Sequence, residues 1–182
     1  MNRSTLIALL IILMIVVSAG TYTFTLKEQR RVQSSQAYTA LSTNEKVASY
    51  TDLGGESLQL TDYAGKVLVV NAWASWCPFC TKELPALAQV GQEYANQDVV
   101  VLAINRRESK EQAERYLRQL SATEGVILIL DPDDHFYTSI GGVSMPETVI
   151  YDRRGDVVFH KQGPMEIDEI RQYVEAALAV TK

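Results

Sequence analysis

Three short segments carry almost uninterrupted apolar, β-branched sequence: KVLVVNAW (66–73), DVVVLAIN (98–105) and VILIL (126–130). A strand with one wet face alternates apolar and polar residues. These segments do not alternate, so they read as strands covered on both faces. Such strands belong to a parallel sheet flanked by helices, which narrows the fold to the α/β class. The remaining sequence agrees. The stretch after Cys77 reads as a helix to about Ala95. Ser109 can cap a second helix, with Gln112 placed to reciprocate, and this helix puts Ala113, Tyr116, Leu117 and Leu120 on one face. VASYTDL and SLQL flank Gly54-Gly55 as a hairpin. A second hairpin joins Glu147–Tyr151 to Asp156–His160 around Arg153-Arg154-Gly155. The chain closes with an amphipathic helix that turns Ile167, Ile170, Val174 and Leu178 inward. The expectation is an α/β sandwich.

The N-terminus stands apart from this pattern. Thr5 to Leu26 contains no charge, and a helix needs about 20 mostly apolar residues to span a bilayer. The densest part, Leu6 to Val17, resembles a signal-peptide core, with Arg3 ahead of it and Val17-Ser18-Ala19 as a small-residue cleavage site. An uncleaved membrane anchor over 1–26 is the favoured reading, a cleaved signal the alternative. A polar tether over 27–45 leads to a domain over 46–182. Counting Lys27, Arg30 and Arg31 against Arg3 and the amino terminus would place that domain in the cytoplasm. The net charge of −5 argues against a nucleic-acid partner.

The chemistry concentrates in NAWASWCPFCTKE, from Asn71 to Glu83, which holds both cysteines of the chain. A strand ends near Trp73 and a helix begins around Cys77, so Cys77 meets free N–H groups and the positive end of the helix dipole. A thiolate is favoured there, which makes Cys77 the nucleophile. Pro78 suits a first helical turn because its missing N–H has no partner to lose. Cys80 lies one turn deeper on the same face. It can reach Cys77 and resolve a mixed disulfide. The pair closes too short a loop to add much stability as a structural disulfide.

Other uses of C-x-x-C fit less well. Zinc would need two further ligands, and the two histidines, His135 and His160, form no spaced pair and are expected at the surface or a strand end. Covalent haem needs a histidine where Thr81 stands. No metal or separate cofactor is expected, and the Cys77–Cys80 disulfide is itself the redox group.

W-C-P-F-C after VVNAWAS, with Pro85 downstream, resembles the thioredoxin superfamily. V-x-N-x-W-A-S-W-C-P-x-C-x-x-E is similar to its TlpA/ResA/DsbE-type membrane-anchored branch, which includes the reductases of cytochrome c maturation. The resemblance covers roughly residues 46 to 180. It implies a thioredoxin fold, a three-layer α/β/α sandwich on a mixed sheet, with an N-terminal β-hairpin and a helix–strand insertion near 107–130. It implies that Pro146 is a cis-proline facing the active site, with Met145-Pro146-Glu147-Thr148 matching the P-E-T of the cytochrome c maturation members. The run-in GGVSMP is tighter than the usual G-V-x-G-x-P. A cis turn there would let Met145 offer its backbone to an extended peptide.

Ordinary thioredoxins carry a buried aspartate at the position of Asn71, and an amide cannot take a proton. Glu83, on the face of Cys80 and aligned with this branch's glutamate, is the candidate proton acceptor, and Glu147 is the second. Trp76 is expected over the site, Trp73 beneath it, and Phe79 as an apolar rim beside Pro78. The resemblance implies a protein-disulfide reductase acting on oxidised exported proteins, with apocytochrome c among the candidates; a monomer is expected. An electron donor in the membrane would re-reduce it. The resemblance also places the domain outside the cytoplasm, against the charge count. A thiol peroxidase and a non-enzymatic binding module are the alternatives in function. Secretion after cleavage and a cytoplasm-facing domain are the alternatives in location.

Overall fold

The computed structural model describes residues 49–120 and 123–180, together with isolated residues between Met14 and Thr25 that are helical and exposed. The anchor assigned to 1–26 and the tether assigned to 27–45 lie largely outside the described residues. Among the described residues no helix is long and apolar enough to cross a membrane.

Seven strands form one mixed sheet: β1 (Tyr50–Asp52), β2 (Ser57–Leu58), β3 (Val67–Trp73), β4 (Val99–Arg106), β5 (Ile127–Asp131), β6 (Glu147–Tyr151) and β7 (Val157–Gln162), in the order β2-β1-β5-β4-β3-β6-β7. The three apolar segments pair in parallel at the centre as β3, β4 and β5. Hairpins add antiparallel strands at both edges. Every residue of β3 is buried, which is the two-sided cover that its lack of alternation implies. Among the described residues of the domain, four α-helices complete the sandwich: α1 (Cys80–Glu93), α2 (Lys110–Leu117), α3 (His135–Ser139) and α4 (Ile167–Leu178).

Strand alternation sorts the core into two faces. Val67 and Val69 pack with Leu87 and Val90 of α1 and Ile170 and Val174 of α4. Leu68, Val70 and Ala72 pack on the opposite face with Leu102, Ile104, Val149 and Phe136 of α3. Beneath the cysteines, Trp73 and Ala103 meet Leu84 of α1 and Ala113 and Leu117 of α2. The fold is the expected thioredoxin-type sandwich. The hairpin at Gly54-Gly55 and the closing helix form where periodicity places them. Ser109 caps α2 in a full capping box with Gln112.

Three details differ from expectation. The first helix starts at Cys80, not at Cys77, because Pro78 and Phe79 close a turn in which the Cys80 N–H already bonds the Cys77 carbonyl (3.3 Å). Leu120 lies past the end of α2, which its helical spacing does not foresee. The short helix α3 was not anticipated, since its five residues are too few to show a period. Its start is held by Asp131, whose carboxylate accepts the N–H groups of His135 and Phe136 (3.0 and 2.9 Å).

Candidate active site

The end of β3 delivers Trp73 into the core, and the following loop carries Cys77 to the head of α1. Cys77 and Cys80 are joined by a disulfide with their Cα atoms 5.5 Å apart. Both are buried, at 2 % and 1 % exposure. The Cys80 N–H, first of the helix, points at Cys77 Sγ (3.2 Å). Cys77 therefore sits just ahead of the helix instead of within it, yet its sulfur meets one of the amides that lack an intrahelical partner at a helix start. Trp76 (62 % exposed) and Phe79 (57 % exposed) flank the disulfide as an apolar rim, while Trp73 is buried beneath it.

The Met145–Pro146 bond is cis. Met145 packs against the cluster that contains Cys77, Cys80 and Trp73, so the cis turn lies against the redox pair. Pro146 is tied on its other side by its carbonyl, which accepts the Gly163 N–H (2.9 Å).

Asn71 and Glu83 meet directly. The Asn71 amide nitrogen donates to Glu83 Oε2 (3.0 Å) and to Thr148 Oγ1 (2.9 Å), and Thr148 stands opposite Asn71 in the β3–β6 ladder. Glu83 Oε1 accepts the Met165 N–H (3.0 Å). Asn71, Glu83 and Thr148 are each buried. Burial pushes the Glu83 carboxyl up to about 7, against the smaller opposing effects of the Met165 and Asn71 hydrogen bonds. This group therefore changes protonation near neutral pH on the same sheet face as the cysteine helix.

Glu147 is placed differently. It stands next to Ala72 in register, so its side chain lies on the face opposite Asn71 and Thr148. Oε2 accepts the N–H groups of Val143 and Ser144 (both 3.0 Å), and Oε1 pairs with His160 Nε2 (2.6 Å). The two candidate carboxylates are thus separated by the sheet. His160 is exposed at the surface, as expected, within β7, where it sits diagonally across from the buried Glu147 carboxylate. His135 is exposed at the start of α3. Among the described residues no group of side chains has metal-ligating geometry.

One supporting residue escaped the sequence. Glu108, in the loop two residues past the end of β4, reaches under the loop before Cys77. Its carboxylate accepts the Ser75 N–H (2.8 Å), the Ser75 hydroxyl (2.5 Å) and the Asn105 amide (2.7 Å). No local spacing links Glu108 to Ser75; only the parallel β3–β4 pairing brings them together. Tyr116 of α2 likewise stacks on Trp73 (5.5 Å between ring centroids) and bonds Thr81 (2.7 Å), closing one side of the site.

Comparison with known proteins follows this geometry. The Redoxin family model matches residues 27–177. The thiol-disulfide oxidoreductase ResA of Geobacillus thermodenitrificans is 31% identical over 126 residues, covering 69% of this chain and 71% of that protein. The thiol:disulfide interchange protein HelX of Rhodobacter capsulatus is 29% identical over 146 residues, covering 79% of this chain and 80% of that protein. The crystal structure of a secreted disulfide oxidoreductase of Mycobacterium tuberculosis superposes with a TM-score of 0.62 at 26% identity. That match covers 71% of this chain and 96% of that one.

Proposed function

The chain belongs to the Redoxin family, among its ResA/DsbE-type thiol–disulfide oxidoreductases, and on that premise we propose that it reduces disulfides in exported proteins through the Cys77–Cys80 dithiol. The observation that carries the reading is the placement of that pair at the head of α1, beside the cis turn at Pro146.

In the reduced protein the Cys77 thiolate attacks a substrate disulfide. A mixed disulfide forms and one substrate thiolate leaves. The Cys80 thiol then loses its proton and attacks Cys77 Sγ, which releases the second substrate thiolate. Two electrons pass to the substrate, and the protein is left as the disulfide. The Cys80 N–H that faces Cys77 Sγ (3.2 Å) favours negative charge there when the bond opens. Glu83 serves as the proton store: with its carboxyl at about 7, it can accept or release a proton near neutral pH. Trp76, Pro78 and Phe79 offer the apolar rim to the substrate, and Met145 offers its backbone as a binding edge.

The similarity to a secreted oxidoreductase supports an extracytoplasmic domain. The uncharged run from Thr5 to Leu26 supports an anchor that holds the domain, as a monomer, near a membrane electron donor. Apocytochrome c is the substrate class suggested by the P-E-T that follows Met145.

Trapping tests the reading. Cys80→Ser removes the resolving thiol, so Cys77 should remain joined to its substrate as a mixed disulfide that dithiothreitol releases. Absence of any such adduct from the exported fraction, with folded protein, would overturn it.

A further inference from the structure

The strand that follows the cis turn begins with a carboxylate that serves the turn itself. Glu147 is fully buried. One of its oxygens takes the two successive N–H groups of Val143 and Ser144. Its other oxygen is held by His160 from the neighbouring strand at 2.6 Å. The two backbone N–H groups serve only Oε2, so loss of His160 would leave Oε1 of a buried carboxyl without its partner, at a desolvation cost.

The same segment is gripped from below. The Tyr137 hydroxyl donates to the Ser144 carbonyl (2.9 Å), and the Gly142 N–H bonds the Tyr137 carbonyl (2.9 Å). A Cβ on Gly142 would overlap the Tyr137 ring. That ring is backed by the Arg106 guanidinium, 3.2 Å from its centroid, and Arg106 is itself clamped by Asp134. Val143 nonetheless projects into solvent, at 72 % exposure, on the run-in to Met145.

We propose that His160 and Glu147 are positioning residues for substrate: together they hold the Val143–Ser144 backbone so that Met145 presents a pre-formed edge to an extended peptide. The inference rests on the oxidoreductase reading and deepens it. It assigns Glu147 to binding geometry and leaves proton storage to Glu83. Neither side chain reaches the disulfide from its face of the sheet. Their effect therefore falls on substrates long enough to lie along the edge. A pre-formed edge lowers the ordering cost of binding.

Two measurements on the reduced protein test this. Single-turnover rates are followed against an oxidised peptide disulfide and against dithiobis(nitrobenzoic acid), which is too small to use the edge. His160→Ala should raise the half-saturating peptide concentration by about fivefold, as expected for loss of one charge-assisted hydrogen bond in a binding loop. The limiting rate should change little, and the loss on the small disulfide should be much smaller. His160→Gln, which keeps a donor near Nε2, should recover most of the peptide affinity. Equal losses on both substrates, or no loss on the peptide, would overturn the proposal. Amide exchange gives an answer that needs no turnover. In His160→Ala the Val143 and Ser144 amides should exchange roughly tenfold faster than in wild type, and unchanged protection would overturn the proposal. Failure of the wild type to reduce either disulfide would instead strike at the oxidoreductase reading, which the exchange experiment does not touch.

Discussion

Asn71 donates a hydrogen bond of 3.0 Å to Glu83 in the buried layer between β3 and α1. An amide thus occupies the place of a second ionisable group and holds the buried Glu83 carboxylate. A carboxyl stripped of water retains its proton to near neutrality, because desolvation outweighs its two hydrogen bonds and the weaker pull of Lys161.

The first prediction concerns stability against pH. The unfolded Glu83 carboxyl ionises near 4.5, the folded one only near 7. Below the lower value both states hold the proton, and no difference arises. As pH rises between the two values the unfolded state ionises first. The native state should then lose about 3 kcal/mol, and the loss is complete above the upper value. Glu83→Gln removes this dependence. Urea denaturation from pH 4 to 8 should show the variant gaining on the wild type across that window. A constant difference would mean that Glu83 titrates like an exposed carboxyl.

A second carboxylate at the amide's position should be poorly tolerated. In Asn71→Asp two buried acids would face each other, and they cannot both ionise without large cost. Denaturation at pH 8 should show a loss of about 3 kcal/mol or more relative to wild type. Most of it should return at acidic pH, where the acids are protonated. Wild-type stability at pH 8 would contradict the close approach of the two side chains.

Glu108 supports the loop before the nucleophile. Glu108→Ala would strand the Ser75 N–H, the Ser75 hydroxyl and the Asn105 amide, at a cost of about 2 kcal/mol. The loop that carries Trp76 and Cys77 should loosen. The expected result is slower single-turnover reduction of both peptide and small disulfides, in contrast to the substrate-selective effect of His160→Ala. Equal rates in variant and wild type would remove Glu108 from the support of the site.

Gly91 tests the packing of α1 on the segment that leads into β5. A Cβ there would collide with the backbone carbonyl of Gly125, which sits at a φ of +94° and has no side chain to move aside. Gly91→Ala should cost about 2–3 kcal/mol despite the better helix propensity of alanine, because overpacking against backbone outweighs it. A stabilised variant by thermal denaturation would show that the two segments can separate.

Much of this architecture is legible in order along the chain. The apolar runs of β3, β4 and β5 announce a covered parallel sheet, and the Ser109–Gln112 box announces α2. Both are local signals, set by period and by residues a turn apart. The site divides along the same line. Cys77 and Cys80 are recognisable because their spacing is local. Glu108 beneath Ser75 and His160 beside Glu147 are not, because strand pairing alone joins them.

By itself the sequence determined the class of sheet, the position of the redox pair and the lack of a proton site at Asn71. Only the tertiary structure decided which carboxylate could answer for that lack. Glu83 and Glu147 look equivalent along the chain, each an acid near a cysteine or a proline. Strand alternation puts them on opposite faces of the sheet, one buried with Asn71 and the cysteine helix, the other locked to His160 and the cis turn. The physical reason is that a carboxylate's chemistry depends on its desolvation and its donors, and both are supplied by residues distant in the chain.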